Sequence, residues 1–104
     1  MALHILACHP EIDAALSFSD FVALGFAAGL QACLGPQSGR RIPLVGFDDI
    51  EEARHAIPPI SSVHCGISHL AAITANRALA WLDGEKPPAP VERTPAQFIA
   101  REAP

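Results

Sequence analysis

Two adjacent carboxylates, Asp48 and Asp49, follow a short apolar segment at residues 42–47 that is rich in branched side chains. Such a run is typical of a buried strand, so the pair lies at the carboxyl end of that strand. Ligands of open α/β sheets bind at this edge. We expect Asp48 to contact a ligand, because a carboxylate accepts hydrogen bonds from neighbouring hydroxyl groups. Asp49 is expected mainly to cap the helix that follows.

The same pair of carboxylates could instead hold Mg²⁺ for phosphoryl transfer. Sites of that kind need further acidic residues and a lysine from neighbouring strand ends. The single lysine, Lys86, lies in a proline-rich segment, so no predicted strand end supplies a lysine. We therefore expect no enzyme activity, no metal and no cofactor, with a small Mg²⁺-dependent domain as the less favoured alternative.

The cysteines and histidines do not form a pattern typical of a metal site. Cys8, Cys33 and Cys65 are far apart and never form a C-x-x-C pair, as is usual for small packed residues of a reduced protein. His64 and His69 flank Cys65 closely, but their spacing matches no zinc motif. We expect these side chains to be packed or at the surface.

The elements that must position these residues alternate between strands and helices. The sequence predicts helices over residues 2–8, 20–34, 50–57 and 67–82, and strands over residues 14–18, 41–47, 60–65 and 96–100. This order predicts an α/β fold with a parallel sheet flanked by helices. Ser19 or Asp20 can supply the N-cap of the second helix. Pro43 has no amide hydrogen, so the hydrogen-bonded ladder should start at or after it.

The predicted helix over residues 20–34 has no charged residue between Phe21 and Arg40. A helix that is apolar all round is buried on two sides, so its second side should meet another chain or another part of the protein. Leu24 and Ala28 on this helix, and Ala56 on the next one, are the expected contacts. The alternative is an exposed, alanine-rich helix.

Composition limits the partners and the location of the chain. At 104 residues it forms one small domain at most. The net charge of −4 gives no electrostatic footprint for nucleic acid, so the chain is not expected to bind DNA by itself. We find no secretory signal and no apolar run long enough to span a membrane, and therefore expect a cytoplasmic protein.

Three motifs together resemble the LacI/GalR family of bacterial transcription regulators. They are SDFVALG at residues 19–25, VGFDD at residues 45–49 and PPISSV at residues 58–63. The family typically has Asn-Asp-x-x-Ala-x-Gly, then Val-Gly-Phe/Tyr-Asp-Asp/Asn, then Pro-Pro-Leu-Thr-Thr-Val. The order and spacing of the three motifs make the resemblance specific. It covers residues 9–102, which correspond to the last third of a complete family member.

The resemblance implies a partial periplasmic-binding-protein-like domain of type I. Residues 9–59 and 94–103 would form its C-terminal subdomain, residues 60–84 a crossover strand and helix of the other subdomain, and residues 85–93 a linker. The expected hinge or crossover residues are Pro58, Pro59, Ser61 and Ser62.

The resemblance also implies a function in transcription regulation. Asp48, with Ser19 and Asp20, would bind a small effector, typically a sugar. Serine at position 19 replaces the family's usual Asn and would change that contact. The helices that carry Leu24, Ala28 and Ala56 would line a dimer. Operator DNA would be bound only through an N-terminal domain that these residues do not include. A periplasmic-type sugar-binding protein is the nearest alternative.

Overall fold

The structure, a computed structural model, describes residues 2–35, 37–86 and 93–101. Most of the expected linker, residues 87–92, lies outside the described residues. The elements in chain order are α1 (Ala2–Cys8), β1 (Ala15–Leu16), α2 (Asp20–Leu34), β2 (Leu44–Phe47), α3 (Glu51–His55), β3 (Ser61–His64), α4 (Ile67–Leu82) and β4 (Gln97–Ile99). The expected α/β class is confirmed.

The four strands form one sheet in the order β1-β2-β3-β4. β1, β2 and β3 pair in parallel, as the alternation of strands and helices predicts. β4 pairs antiparallel to β3, with Val63 opposite Phe98. A parallel pair needs a crossover that packs back on the sheet. The chain between β3 and β4 includes α4 and re-enters the sheet at Gln97, opposite His64, so it returns at the same end of the sheet where β3 ends.

The prediction for residues 60–84 is wrong for the strand. Ser61–His64 lies between β2 and β4 in the same sheet as the remaining strands, and not in another subdomain. Its backbone groups complete the ladders of both neighbours, which the sequence motif alone does not specify. The chain leaves this sheet after His64, and Gly66, at the start of α4, has a left-handed backbone with φ of 63°.

The core lies between the sheet and α2. The ladder of β2 starts at Leu44, directly after Pro43, as predicted. Ser19 caps α2 by accepting a hydrogen bond from the Val22 amide at 3.4 Å. The buried side of α2 carries Ala23, Phe26 and Leu30, which pack with residues of α1, the β2 segment, α3 and the start of β3.

Helix α4 contributes nothing to this core, since none of its residues is buried. The residues that recur at helical spacing along α4 are all exposed: Ile67, Leu70, Thr74, Ala78 and Leu82. The opposite face of the sheet is also poorly covered. Leu16, Phe47 and Phe98 share that face by alternation and register, and all three are exposed.

Candidate functional site

Asp48 lies at the carboxyl end of β2, where the sequence predicted a ligand contact. Its amide donates a hydrogen bond to the Val63 carbonyl at 3.0 Å, which fixes its backbone against β3. The residue is half-buried, and within the described part of the chain no hydrogen bond or ion pair engages its carboxylate. Burial raises the pKa of the nearby Cys65 thiol, and the negative charge of Asp48 raises it further. Asp48 thus offers a carboxylate at the expected ligand edge.

The backbone of the Asp48–Asp49 turn is unusual. Asp48 has φ of 103° and Asp49 has φ of 60°, both in a region that residues other than glycine rarely adopt. Such conformations persist only where the surroundings hold them. The amide of Asp49 donates to the Ser62 hydroxyl at 3.0 Å, and the amide of Ile50 donates to the Asp20 carboxylate at 2.8 Å. Three consecutive amides of the turn are therefore bound by other elements.

Asp49 does not cap α3, contrary to the sequence prediction. Helix α3 begins after Ile50 without a side-chain capping bond. The buried carboxylate of Asp49 instead binds Arg101, Arg54 at 2.8 Å and the ring of His64 at 3.0 Å. Burial by itself would raise the pKa of Asp49, but the hydrogen bonds and charges of Arg101 and Arg54 lower it below its ordinary value. Asp49 is therefore an anionic centre that joins β2, α3, β3 and the segment after β4.

Asp20 is a structural residue, which corrects its prediction as a ligand contact. It is fully buried, and its carboxylate accepts hydrogen bonds from the Ser62 hydroxyl at 2.6 Å and from the Ile50 amide. Both oxygens are thereby occupied by the protein. Gly46 is required beside it, since a Cβ at this position would lie 1.9 Å from the Asp20 carboxylate. The close contact between α2 and β2 explains why the strand has a glycine there.

Ser19 remains at the predicted edge, but its hydroxyl serves α2 as a cap. The residues predicted at the hinge divide into two groups. Pro58 and Pro59 precede β3, whereas Ser61 and Ser62 lie within it and are buried. Ser62 bonds Asp20 and the Asp49 amide, and the Ser61 hydroxyl accepts from the Arg101 amide at 3.0 Å. The two serines therefore hold the sheet together beside the turn.

The residues predicted to line a dimer differ in exposure. Ala28 is exposed on α2, whereas Leu24 and Ala56 are half-buried and pack partly against the core. The Gln31 side chain donates to the Ile57 carbonyl at 3.2 Å and so joins α2 to the end of α3. This bond joins the two segments, and Phe21 at the start of α2 is exposed.

Sequence reasoning missed Arg101 and His64 as part of the site. Arg101 is 52 residues from Asp49, so no local spacing indicates their contact.

The structure also has an apolar depression of about 230 Å³ between α1, β1 and α2, lined by residues that include Ile5, Phe18 and Phe26. It lies on the outer edge of β1, away from Asp48, and offers little polar recognition.

Two further findings concern the described residues alone. No cluster of three or more histidine, cysteine or acidic side chains there has a geometry that could hold a metal ion. None of the helices there is long and apolar enough to cross a membrane. The contacts of Asp49 argue against a magnesium site at the Asp pair, because its carboxylate is already bound by two arginines.

Comparison with known proteins defines the class of the fold. Residues 2–103 match the family model described as the periplasmic binding protein-like domain, and the chain belongs to this family. It is part of an effector-binding domain of the LacI type, as the three sequence motifs indicated.

Two comparisons show which regulators the chain is similar to. The chain is 41% identical over 59 residues to the HTH-type transcriptional regulator CelR of Thermobifida fusca, a match that covers 53% of this chain and 16% of the relative. A solved structure, of the transcriptional regulator CelR–cellobiose complex, is 29% identical with a TM-score of 0.81, covering 97% of this chain and 31% of that one.

A sucrose-bound LacI family transcriptional regulator from Lactobacillus casei is 26% identical with a TM-score of 0.69. This match covers 86% of this chain and 32% of that one. The chain therefore spans about a third of the length of the solved structures that it matches, and a smaller part of the curated relative.

Proposed function

We propose that this chain supplies one wall of a sugar-binding cleft in a cytoplasmic transcription regulator, and that Asp48 accepts hydrogen bonds from the hydroxyl groups of the sugar. The observation that carries the proposal is the half-buried Asp48 carboxylate at the sheet edge, which no described residue engages. A carboxylate can accept hydrogen bonds from two adjacent hydroxyls. The complexes of similar regulators with cellobiose and sucrose support a sugar as the effector.

The remaining parts of the proposal concern partners. The chain binds its effector without chemical conversion, it associates with a second copy through α2 and α3, and operator DNA is contacted by residues outside this chain. The net charge of −4 supports the last point, because phosphate binding depends on clustered lysine and arginine.

The test is calorimetric titration of cellobiose into the full-length protein that carries these residues. Asp48→Asn keeps the shape of the side chain but removes its charge, and should weaken binding by about 1.5–3 kcal/mol, the contribution of a hydrogen bond to a charged group. The melting temperature should stay nearly unchanged, because no described residue depends on this carboxylate. Asp13→Asn, at an exposed aspartate before β1, is the matched control and should bind like the unmodified protein.

Two outcomes would contradict this role of Asp48. One is unchanged sugar binding in Asp48→Asn together with a loss of stability, which would make Asp48 a structural residue. The other is the absence of binding by the unmodified protein to cellobiose, sucrose and further neutral sugars.

A further inference from the structure

The conformation of Asp48 needs support from outside its own strand. Its φ of 103° places it where a residue with a Cβ is strained, so the turn would relax if its contacts were lost. The support comes from two sides. Val63 and Ser62 of β3 bind the amides of Asp48 and Asp49, and a cluster of basic side chains binds the Asp49 carboxylate.

Arg101 is the member of this cluster that joins the most distant parts of the chain. Its guanidinium donates to the Asp49 carboxylate and to the Ile60 carbonyl at 3.1 Å, while its amide donates to the Ser61 hydroxyl at 3.0 Å. The side chain is only 13% exposed. Arg101 therefore ties the turn after β2 to both β3 and the segment that follows β4.

Arg54 and His64 bind the same carboxylate but are more exposed to solvent than Arg101. Arg54 is 49% exposed and lies five residues from Asp49, so it can hold the carboxylate without fixing the turn to a second strand. The His64 side chain is 45% exposed. Exposed ion pairs contribute little because water screens them, whereas a pair with little exposure is screened less.

We propose that Arg101 is a positioning residue for Asp48: by holding Asp49 against β3, it fixes the strained turn and thereby sets the affinity for the effector. This inference rests on the proposed function of Asp48 in sugar binding, but the geometric part does not need a ligand. Preorganised binding residues depend on supporting side chains that lock their orientation. Arg101, 52 residues from Asp49 in sequence, thus supports the binding site from outside it.

The test compares Arg101→Gln with Arg54→Gln and Arg101→Lys. The first readout is the Cα and Cβ chemical shifts of Asp48 in the isotope-labelled 104-residue chain, which report its backbone conformation without a ligand. We expect Arg101→Gln to shift both signals, Arg54→Gln to leave them nearly unchanged, and Arg101→Lys to restore most of the original values. The second readout is cellobiose affinity in the full-length protein, which should fall about tenfold in Arg101→Gln. This is the lower end of the loss in affinity seen when residues that support metal ligands are removed.

A variant of the core separates positioning from general stability. Ile42→Val removes a buried methyl group without touching the turn, so it should lower the melting temperature but leave the Asp48 shifts and the affinity unchanged. Unchanged Asp48 shifts in Arg101→Gln would overturn the inference, as would equal effects of Arg101→Gln and Ile42→Val. Absence of cellobiose binding by the unmodified protein, with the Asp48 shifts still dependent on Arg101, would overturn the sugar-binding function and the affinity effect but keep the geometric part.

Discussion

Asp48 and Asp49 are chemically identical neighbours, yet the fold gives them opposite roles. Asp48 is half-buried with a carboxylate that no described residue binds, whereas Asp49 is buried between two arginines and a histidine. Both residues have positive φ angles, but their carboxylates lie in different surroundings. A single pair of acids thus provides both a contact for a ligand and the anionic centre that supports it.

The ion pairs of Asp49 make the stability of the folded chain depend on pH in the acid range. The pKa of Asp49 is lowered in the folded state from its ordinary value of 3.8, because Arg101 and Arg54 outweigh the effect of burial. The folded state is therefore favoured by the ionised carboxylate above that value, and this contribution is lost as the pH falls from 3.8 through the lowered pKa.

This pH dependence can be measured by following the melting temperature of the chain from neutral pH down to the acid range. Asp49→Asn should be less stable at neutral pH, and its melting temperature should fall less steeply with acid than that of the unmodified chain. Asp13→Asn, at an exposed aspartate, should keep the original slope. Parallel curves for Asp49→Asn and the unmodified chain would show that the ion pairs of Asp49 contribute nothing to the pH dependence.

At the scale of elements, α4 and the sheet differ in how they are supported. Strands β2 and β3 have a hydrogen-bonded neighbour on each side, and Leu44 and Ile60 contribute to the core. Helix α4 has no buried residue and exposes Leu79, Trp81 and Leu82. We propose that α4 packs on another subdomain in a complete protein, and exposed apolar patches of this kind also drive association.

Amide hydrogen exchange of the 104-residue chain tests this difference. Amides of residues 67–82 should exchange much faster than those of β2, because few tertiary contacts oppose the local opening of α4. The β3 amides serve as an internal reference and should be protected like those of β2. Equal protection of α4 and β2 in a monomeric sample would show that the helix is stabilised within this chain.

At the scale of the whole molecule, many large apolar side chains lie outside the core and are exposed. Phe21 and Ala28 are exposed on α2, and Leu16, Phe47 and Phe98 are exposed on the face of the sheet opposite α2. A sheet with parallel strands is normally covered on both faces. The surface of α2 and α3 is the one that the family resemblance assigns to a second copy of the chain.

We expect the chain to self-associate through α2, and Ala28→Glu to weaken the association. Ala28 is exposed, so a charge there enters the proposed interface without disturbing the core, in contrast to the half-buried Leu24. Sedimentation should show a dimer for the unmodified chain at micromolar concentration and a shift to monomer for Ala28→Glu. The control Ala7→Glu, at an exposed alanine of α1, should remain dimeric; equal association of both variants would exclude this part of α2 as the interface.

The sequence by itself determined the α/β class, the approximate course of the elements and the family, since these follow from local periodicity, capping residues and motifs at fixed spacing. It gave Ser19 or Asp20 as the N-cap of α2, of which the structure has Ser19, and it placed the start of the β2 ladder at or after Pro43 and Asp48 at a strand end.

The tertiary structure alone decided the roles of Asp20, Asp49, Ser62 and Arg101, and it placed β3 in the main sheet. These roles depend on contacts between residues distant in sequence, such as those of Asp49 with His64, 15 positions away, and with Arg101, 52 positions away. Local patterns carry no information about which distant side chain will neutralise a buried carboxylate. The packing of α2 against β2 and the antiparallel return of β4 bring those partners together.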